Sequence, residues 1–371
     1  MSDFSPVGAR SHVSRLGEGA PGAAGSTAGG TDPLFRSDDA DFTRPVSIVA
    51  RRKLGETDVS VFPFLLGTAR LAAMDETAAG RILHRFTGRA GGFLDVVDED
   101  GSGRSQEVVG AWLHAHRHDR IVTTLTPSPE RDGGRATGGT RIIRSVEAAL
   151  RRLRIERIDL LTLDLRGQDL TIDQRLGAVD ELVSAGKVRH LGASGVTGEG
   201  LIEARVLAGD GLARIVAVRA PWDITTRPDA VEELRMVAAA QQLAILPDAT
   251  TTTLALTRPS LPQKVLASRL RGPWAAAAAR PAAREYERAA DVLAGRGREH
   301  RIALALDRVS AELAVSPGTA QLAWLLAKRG VVAPIVQVTR PEQVDPLMDA
   351  AAVRLTRAQM LELDRATEAL R

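Results

Sequence analysis

Aspartates stand at or just after several short apolar runs of this chain. They are Asp95 and Asp100, Asp164, Asp223 and Asp248, with Asp98 and Glu99 beside the first pair and Arg166 and Arg219 close to the others. Carboxylates crowded into a low-dielectric cleft repel one another, so at least one is expected to hold its proton above the usual pH. A protonated acid beside an ionised one is the minimum needed for general acid–base work. That apparatus suits an isomerase, dehydratase, cyclase or hydrolase. The same oxygens could hold Mg²⁺, but no fixed-spacing ligand motif accompanies them and no metal is expected. A plainer reading stands beside this one. Aspartate also caps helices and closes turns, and Asp95 can form an ion pair with Arg104 or Arg219. Two histidine features read as structural: His190 as a packed strand residue, and His114, His116 and His118 as a cluster at a helix end, where the dipole favours them.

These side chains need a scaffold. The chain has 371 residues, of which 44% are hydrophobic and 26% charged, a size for one large domain or two ordinary ones. It has no cysteine, which excludes disulfides, thiolate metal sites and a Cys nucleophile and makes a reducing cytoplasm the expected compartment. No apolar run reaches the ~18–20 residues needed to span a bilayer. Lys occurs only at 53, 187, 264 and 328, so 45 of the 49 basic residues are Arg, and the net charge is +3. Because these Arg alternate with acids along the chain and only 3% of residues are aromatic, no nucleic-acid face is expected. Residues 1–44 are rich in Gly, Ala and Ser without an apolar period and read as a disordered tail. Residues 257–298 contain Pro259, Pro262, Pro273 and Pro281 and read as a long inserted loop with a helix near 282–293.

Between them, apolar runs at 62–67, 92–95, 121–125, 158–163, 188–194, 216–220, 244–248 and 332–338 read as buried parallel strands. Amphipathic stretches at 76–86, 105–116, 141–153, 172–185, 199–208, 229–241 and 319–328 read as helices. Eight strands alternating with helices predict a (β/α)8 barrel over residues 45–371, with its chemistry at the C-terminal ends of the strands.

Several segments carry a resemblance. Lys53-Leu-Gly-Glu-Thr-Asp-Val-Ser-Val-Phe-Pro-Phe-Leu-Leu-Gly-Thr68 resembles the N-terminal hairpin and first strand of the aldo/keto reductases. Residues 93–107 resemble the family segment Phe-Asp-Thr-Ala-x-x-Tyr-Gly-x-Gly-x-Ser-Glu, and 158–163, 186–194 and 353–356 also fit. The resemblance runs from about residue 48 to the C-terminus. It implies carbonyl reduction with NADPH, a Tyr giving the proton, Lys and His tuning it, and an Asp holding the Lys.

At those positions this chain reads differently. Asp95 matches the family Asp, Asp100 stands at the Tyr position, Leu125 at the Lys and Asp164 at the His. In the cofactor bed, Ser194 matches but Gly195 replaces the carboxamide-binding Asn, Arg219 the Gln, and Asp248 the stacking aromatic. The pyrophosphate turn reads Val336-Gln337-Val338, the adenine pair Pro346-Leu347, and Arg340 remains as a phosphate contact. The single tyrosine, Tyr286, falls in the long insert and reads as a loop-helix residue.

The sequence therefore predicts a barrel that has lost hydride-transfer machinery. Asp95, Asp100 and Asp164 are expected in one pocket as catalytic groups, and Arg166, Arg219, Trp222, Asp223 and Asp248 as substrate contacts. Ser194 and Arg340 are expected as remnants of a cofactor site. The expected function is a non-redox acid–base enzyme on a small metabolite, with no cofactor. A binding protein without activity, or a divergent NAD(P)H-dependent oxidoreductase, are the alternatives. A small molecule is the expected partner, with neither nucleic acid nor membrane.

Overall fold

The computed structural model describes residues 51–88, 92–97, 102–116, 121–127, 138–166, 170–249 and 298–368. The expected tail, Asp98, Glu99, Asp100, His118, the expected helix near 282–293 and Tyr286 lie outside the described residues.

A short hairpin, β1 (Arg52–Lys53) and β2 (Ser60–Val61), precedes the main sheet. The barrel strands are β3 (Leu65–Gly67), β4 (Phe93–Val97), β5 (Val122–Thr126), β6 (Ile158–Asp164), β7 (Val188–Ser194), β8 (Ile215–Ala220), β9 (Ala244–Pro247) and β10 (Ile335–Val336). They pair in parallel in the order β10-β3-β4-β5-β6-β7-β8-β9. Bridges from Ile245 to Val331 and from Asp248 to Ile335 join the two ends, giving the (β/α)8 barrel that the sequence predicts. Around it lie α1 (Glu76–Gly88), α2 (Arg104–Ala115), α3 (Gly139–Leu153), α4 (Ile172–Ser184), α5 (Gly198–Gly209) and α6 (Pro228–Ala240). They continue with α7 (Arg298–Leu313), α8 (Pro317–Leu326), α9 (Val344–Ala350) and α10 (Arg357–Thr367). Among the described residues, no helix is long and apolar enough to cross a membrane.

The first and last barrel strands are shorter than the apolar runs at 62–67 and 332–338. Pro63 and Pro334 have no N–H for a ladder. Pairing begins just after them, with the Leu65 amide on the Pro334 carbonyl at 3.0 Å. Helix starts carry side-chain caps: Thr197 accepts from the Gly200 amide, Ser316 from Thr319 and Thr356 from Gln359.

Strand alternation divides the apolar side chains into two layers. Outward residues Leu94, Val96, Leu125, Leu161, Leu163 and Val218 pack under the helices. Inward residues Leu65, Phe93, Leu160, Ala217, Ala244 and Leu246 form a separate cluster inside the barrel, together with Leu54, Val59 and Val61 of the hairpin segment. Two residues further along each strand the inward positions change character. Phe93 gives way to Asp95, Leu160 to Thr162 and then Asp164, Ala217 to Arg219, and Leu246 to Asp248. One pleat thus separates an apolar floor from a polar tier at the C-terminal mouth.

Candidate functional site

Asp95 ends up inside the barrel because β4 is held on both sides. Thr68, after β3, donates both its amide and its hydroxyl to the Asp95 carbonyl, each at 3.0 Å. On the other side the ladder sets Asp95 opposite Thr124, whose hydroxyl donates to the Asp95 carboxylate at 2.6 Å. The second carboxylate oxygen accepts Arg219 Nη1 at 3.0 Å. Arg219 comes from β8, four strands from β4 in an eight-stranded ring, so its side chain crosses the lumen to reach Asp95. It then donates Nε and Nη2 to Asp248 at 3.2 and 2.7 Å.

The Asp95 side chain is 3% exposed and that of Arg219 20%. Burial works against the Arg219 charge, but Asp95 and Asp248 outweigh it and hold the guanidinium above its ordinary pKa. Arg104, the other partner that the sequence offers Asp95, pairs instead with Glu76 and Glu107.

Asp164 belongs to a different group. Its carboxylate accepts the amide of Arg166 at 2.9 Å and the Arg166 guanidinium at 2.7–3.1 Å. Partial burial pushes its pKa up, yet the Arg166 bonds dominate and leave it below the ordinary carboxylate value. The expected rise through crowding therefore does not occur at Asp164. Asp95 and Asp164 have separate partners on strands parted by β5, and Asp100 lies outside the described residues.

The other expected contacts divide in the same way. Trp222 is 4% exposed and sits in the helix layer, edge-on to Trp324 at 6.5 Å and under Arg235 at 5.3 Å. It does not face the lumen. One carboxylate oxygen of Asp223 accepts the amides of Thr225 and Thr226 and the Thr225 hydroxyl at 2.6–3.1 Å, closing a turn. Ser194 ends β7 opposite Asp164, and its carbonyl accepts the Leu165 amide. Arg340 is exposed after β10. His190 is half-buried near Asp58 at 3.7 Å; burial and Arg189 lower its pKa. His116 stacks on Trp112 at 4.1 Å.

Leu125 corrects the motif alignment. It pairs with Val96, points outward and is fully buried beneath the helices. The inward residue beside Asp95 is Thr124, which sequence reasoning passed over. Counting two residues on from Val122 would have found it.

Three points of the bed that the resemblance assigns to a nicotinamide cofactor are taken by the chain's own side chains. Gly195 has φ +61°, and a Cβ there would overlap Arg166 and lie 2.5 Å from an Asp164 oxygen; the space of a longer side chain is already filled. Asp248 is bonded to Arg219 where a ring would stack. Gln337, 8% exposed, lies against Gly67 and accepts Arg70 Nε at 3.4 Å. These residues do not fit a nicotinamide held in the manner the resemblance implies.

A closed parallel barrel with charged groups at the C-terminal ends of its strands defines an enzyme-type (β/α)8 scaffold. The chain belongs to the aldo/keto reductase family, whose model matches residues 63–368. It is 29% identical over 150 residues to an uncharacterized oxidoreductase, YqkF, of Bacillus subtilis, covering 39% of this chain and 49% of that protein. It is 27% identical over 190 residues to norsolorinic acid reductase B of Aspergillus parasiticus, covering 46% and 49%. These matches span about half the length of each relative. A longer match, 22% identical over 343 residues and covering 87% and 84%, is to an aryl-alcohol dehydrogenase of Pestalotiopsis microspora. The crystal structure of a thermostable aldo-keto reductase, Tm1743, in complex with the inhibitor epalrestat superposes with a TM-score of 0.64 at 19% identity, over 85% of this chain and 99% of that one. The expectation of a non-redox acid–base enzyme is overturned by these findings, since the relatives are named for oxidation and reduction.

Proposed function

We propose that this protein is an oxidoreductase of the aldo/keto reductase type, interconverting a carbonyl and an alcohol on a small molecule. Family membership across residues 63–368 carries the reading. It is supported by relatives named oxidoreductase, reductase and dehydrogenase. The family's reductant is NADPH, and the test reads its binding directly. The chain's own contribution at the mouth is a fixed polar tier. Asp95 is locked by Thr124 and Arg219, and Arg219 is held charged between two carboxylates in a largely buried site, where such charges act strongly on a bound dipole.

The experiment is a titration of NADPH and NADH into the purified full chain, followed by fluorescence, and then turnover with aryl aldehydes. Saturable binding of one nucleotide with aldehyde-dependent loss of its reduced form is the expected result. Absence of both binding and turnover with either nucleotide would remove the reading.

A further inference from the structure

We infer that Arg219 is the residue that holds and polarises the substrate's carbonyl oxygen. This assignment rests on the oxidoreductase reading and adds to it the group that touches the reacting atoms.

The first argument is position. Arg219 spans the lumen at the level of Asp95, one pleat above the apolar floor formed by Phe93, Leu160, Ala217 and Leu246. A small molecule entering the mouth and moving down the axis meets this guanidinium before the floor. The second is donor capacity. A guanidinium has five N–H donors. Asp95 takes one and Asp248 two, which leaves one on Nη1 and one on Nη2. The side chain keeps 20% of its surface exposed.

The third is preorganisation. Asp95 and Asp248 come from β4 and from the end of β9, and they fix the guanidinium from two sides. No reorganisation is needed when charge develops on a bound oxygen, which is what makes such donors effective. A neutral aldehyde or ketone suits these donors, because its oxygen becomes negative only as it reacts. With its pKa held above the ordinary value, Arg219 does not itself give up a proton; its role is electrostatic.

The test uses a probe that needs no turnover. 4-Dimethylaminocinnamaldehyde is a push–pull aldehyde whose absorption moves to longer wavelength when its carbonyl is polarised. Wild-type protein should bind it with a red shift. Arg219→Gln alone would strand the buried Asp95 charge, so the informative variant is Arg219→Gln/Asp95→Asn, which removes both charges. Asp95→Asn alone keeps Arg219 charged and bonded to Asp248 but held from one side, and should keep only part of the shift; the double variant should lose all of it. With turnover, the double variant should lose kcat by about 10²–10³, the usual cost of an oxyanion donor, relative to Asp95→Asn. No shift in the wild type, or an equal shift in the double variant, would overturn the assignment. A shift with no nucleotide-dependent turnover would sink the oxidoreductase reading and leave the assignment standing. Turnover that survives in the double variant would do the reverse.

Discussion

Two arginine–aspartate groups sit at the mouth of this barrel, and they differ in almost everything except their chemistry. Arg219 joins Asp95 and Asp248 from three strands, and Asp95 is 3% exposed. Arg166 grips Asp164 from two residues away, with side chains 75% and 41% exposed. The first group bridges distant parts of the chain through a low-dielectric lumen; the second is a local fork in water. Removing one member of a buried pair leaves an uncompensated charge, whereas an exposed pair contributes little. The difference teaches that Arg219 is under architectural constraint and Arg166 is not.

That contrast can be broken or sharpened by mutation. Arg219→Ala should have the largest effect, about 3–5 kcal/mol of destabilisation, measured by urea unfolding. A loss below about 1 kcal/mol would mean that water reaches Asp95 freely. Thr124→Val preserves shape and removes the 2.6 Å donor to Asp95; about 1.5–3 kcal/mol is expected for a hydrogen bond to a charged group. Gly195→Ala introduces a side chain at φ +61°, a conformation costing roughly 1–2 kcal/mol, and pushes on Asp164 and Arg166. Thermal unfolding should show the loss, and Arg166→Ala should relieve part of it.

Arg166→Ala alone should change stability by no more than about 0.5 kcal/mol. Its signature is in titration. The folded-state pKa of Asp164 is lowered, so its small contribution is present above the unfolded carboxylate value and fades as pH falls through the folded one. Without Arg166 the carboxylate should titrate higher by NMR. An unchanged Asp164 titration would show that Arg166 does not hold it.

Much of the barrel is legible in the sequence, because buried parallel strands leave continuous Val, Ile and Leu runs. Register is harder. Residues 122–126 read Val-Thr-Thr-Leu-Thr, and a motif alignment put Leu125 at the catalytic level although its side chain belongs to the outer layer. A slip of one residue exchanges the two faces of a strand, and only the neighbour's ladder fixes it. The helix α7 is hard to read from sequence because charged residues interrupt its stripe, although Ile302, Ala305, Leu306 and Val309 recur at helical spacing and are buried. At the mouth, the pairing of Asp95 with Arg219 was available as one of two partners, but the choice depends on strands four apart in the ring facing each other across it. Trp222 shows the same dependence on packing, since the contacts of its ring with Arg235 and Trp324 are made by residues that lie on other elements of the chain.

The hairpin at the other end of the barrel bears on traffic. Leu54, Val59 and Val61 pack into the inner floor, and the segment is fastened by Arg52 to the Val331 carbonyl at 2.7 Å and by Asp58 and Glu56 to Arg189 and Arg214, each at 2.5 Å. Among the described residues that end is stoppered, so whatever reaches Arg219 comes from the C-terminal side of the strands. Two molecules cannot pass each other in a lumen that one side chain bridges, so a product must vacate before the next molecule arrives. Occupants of the mouth should accordingly bind and leave in a fixed order, with anything seated deep held in place by whatever binds above it.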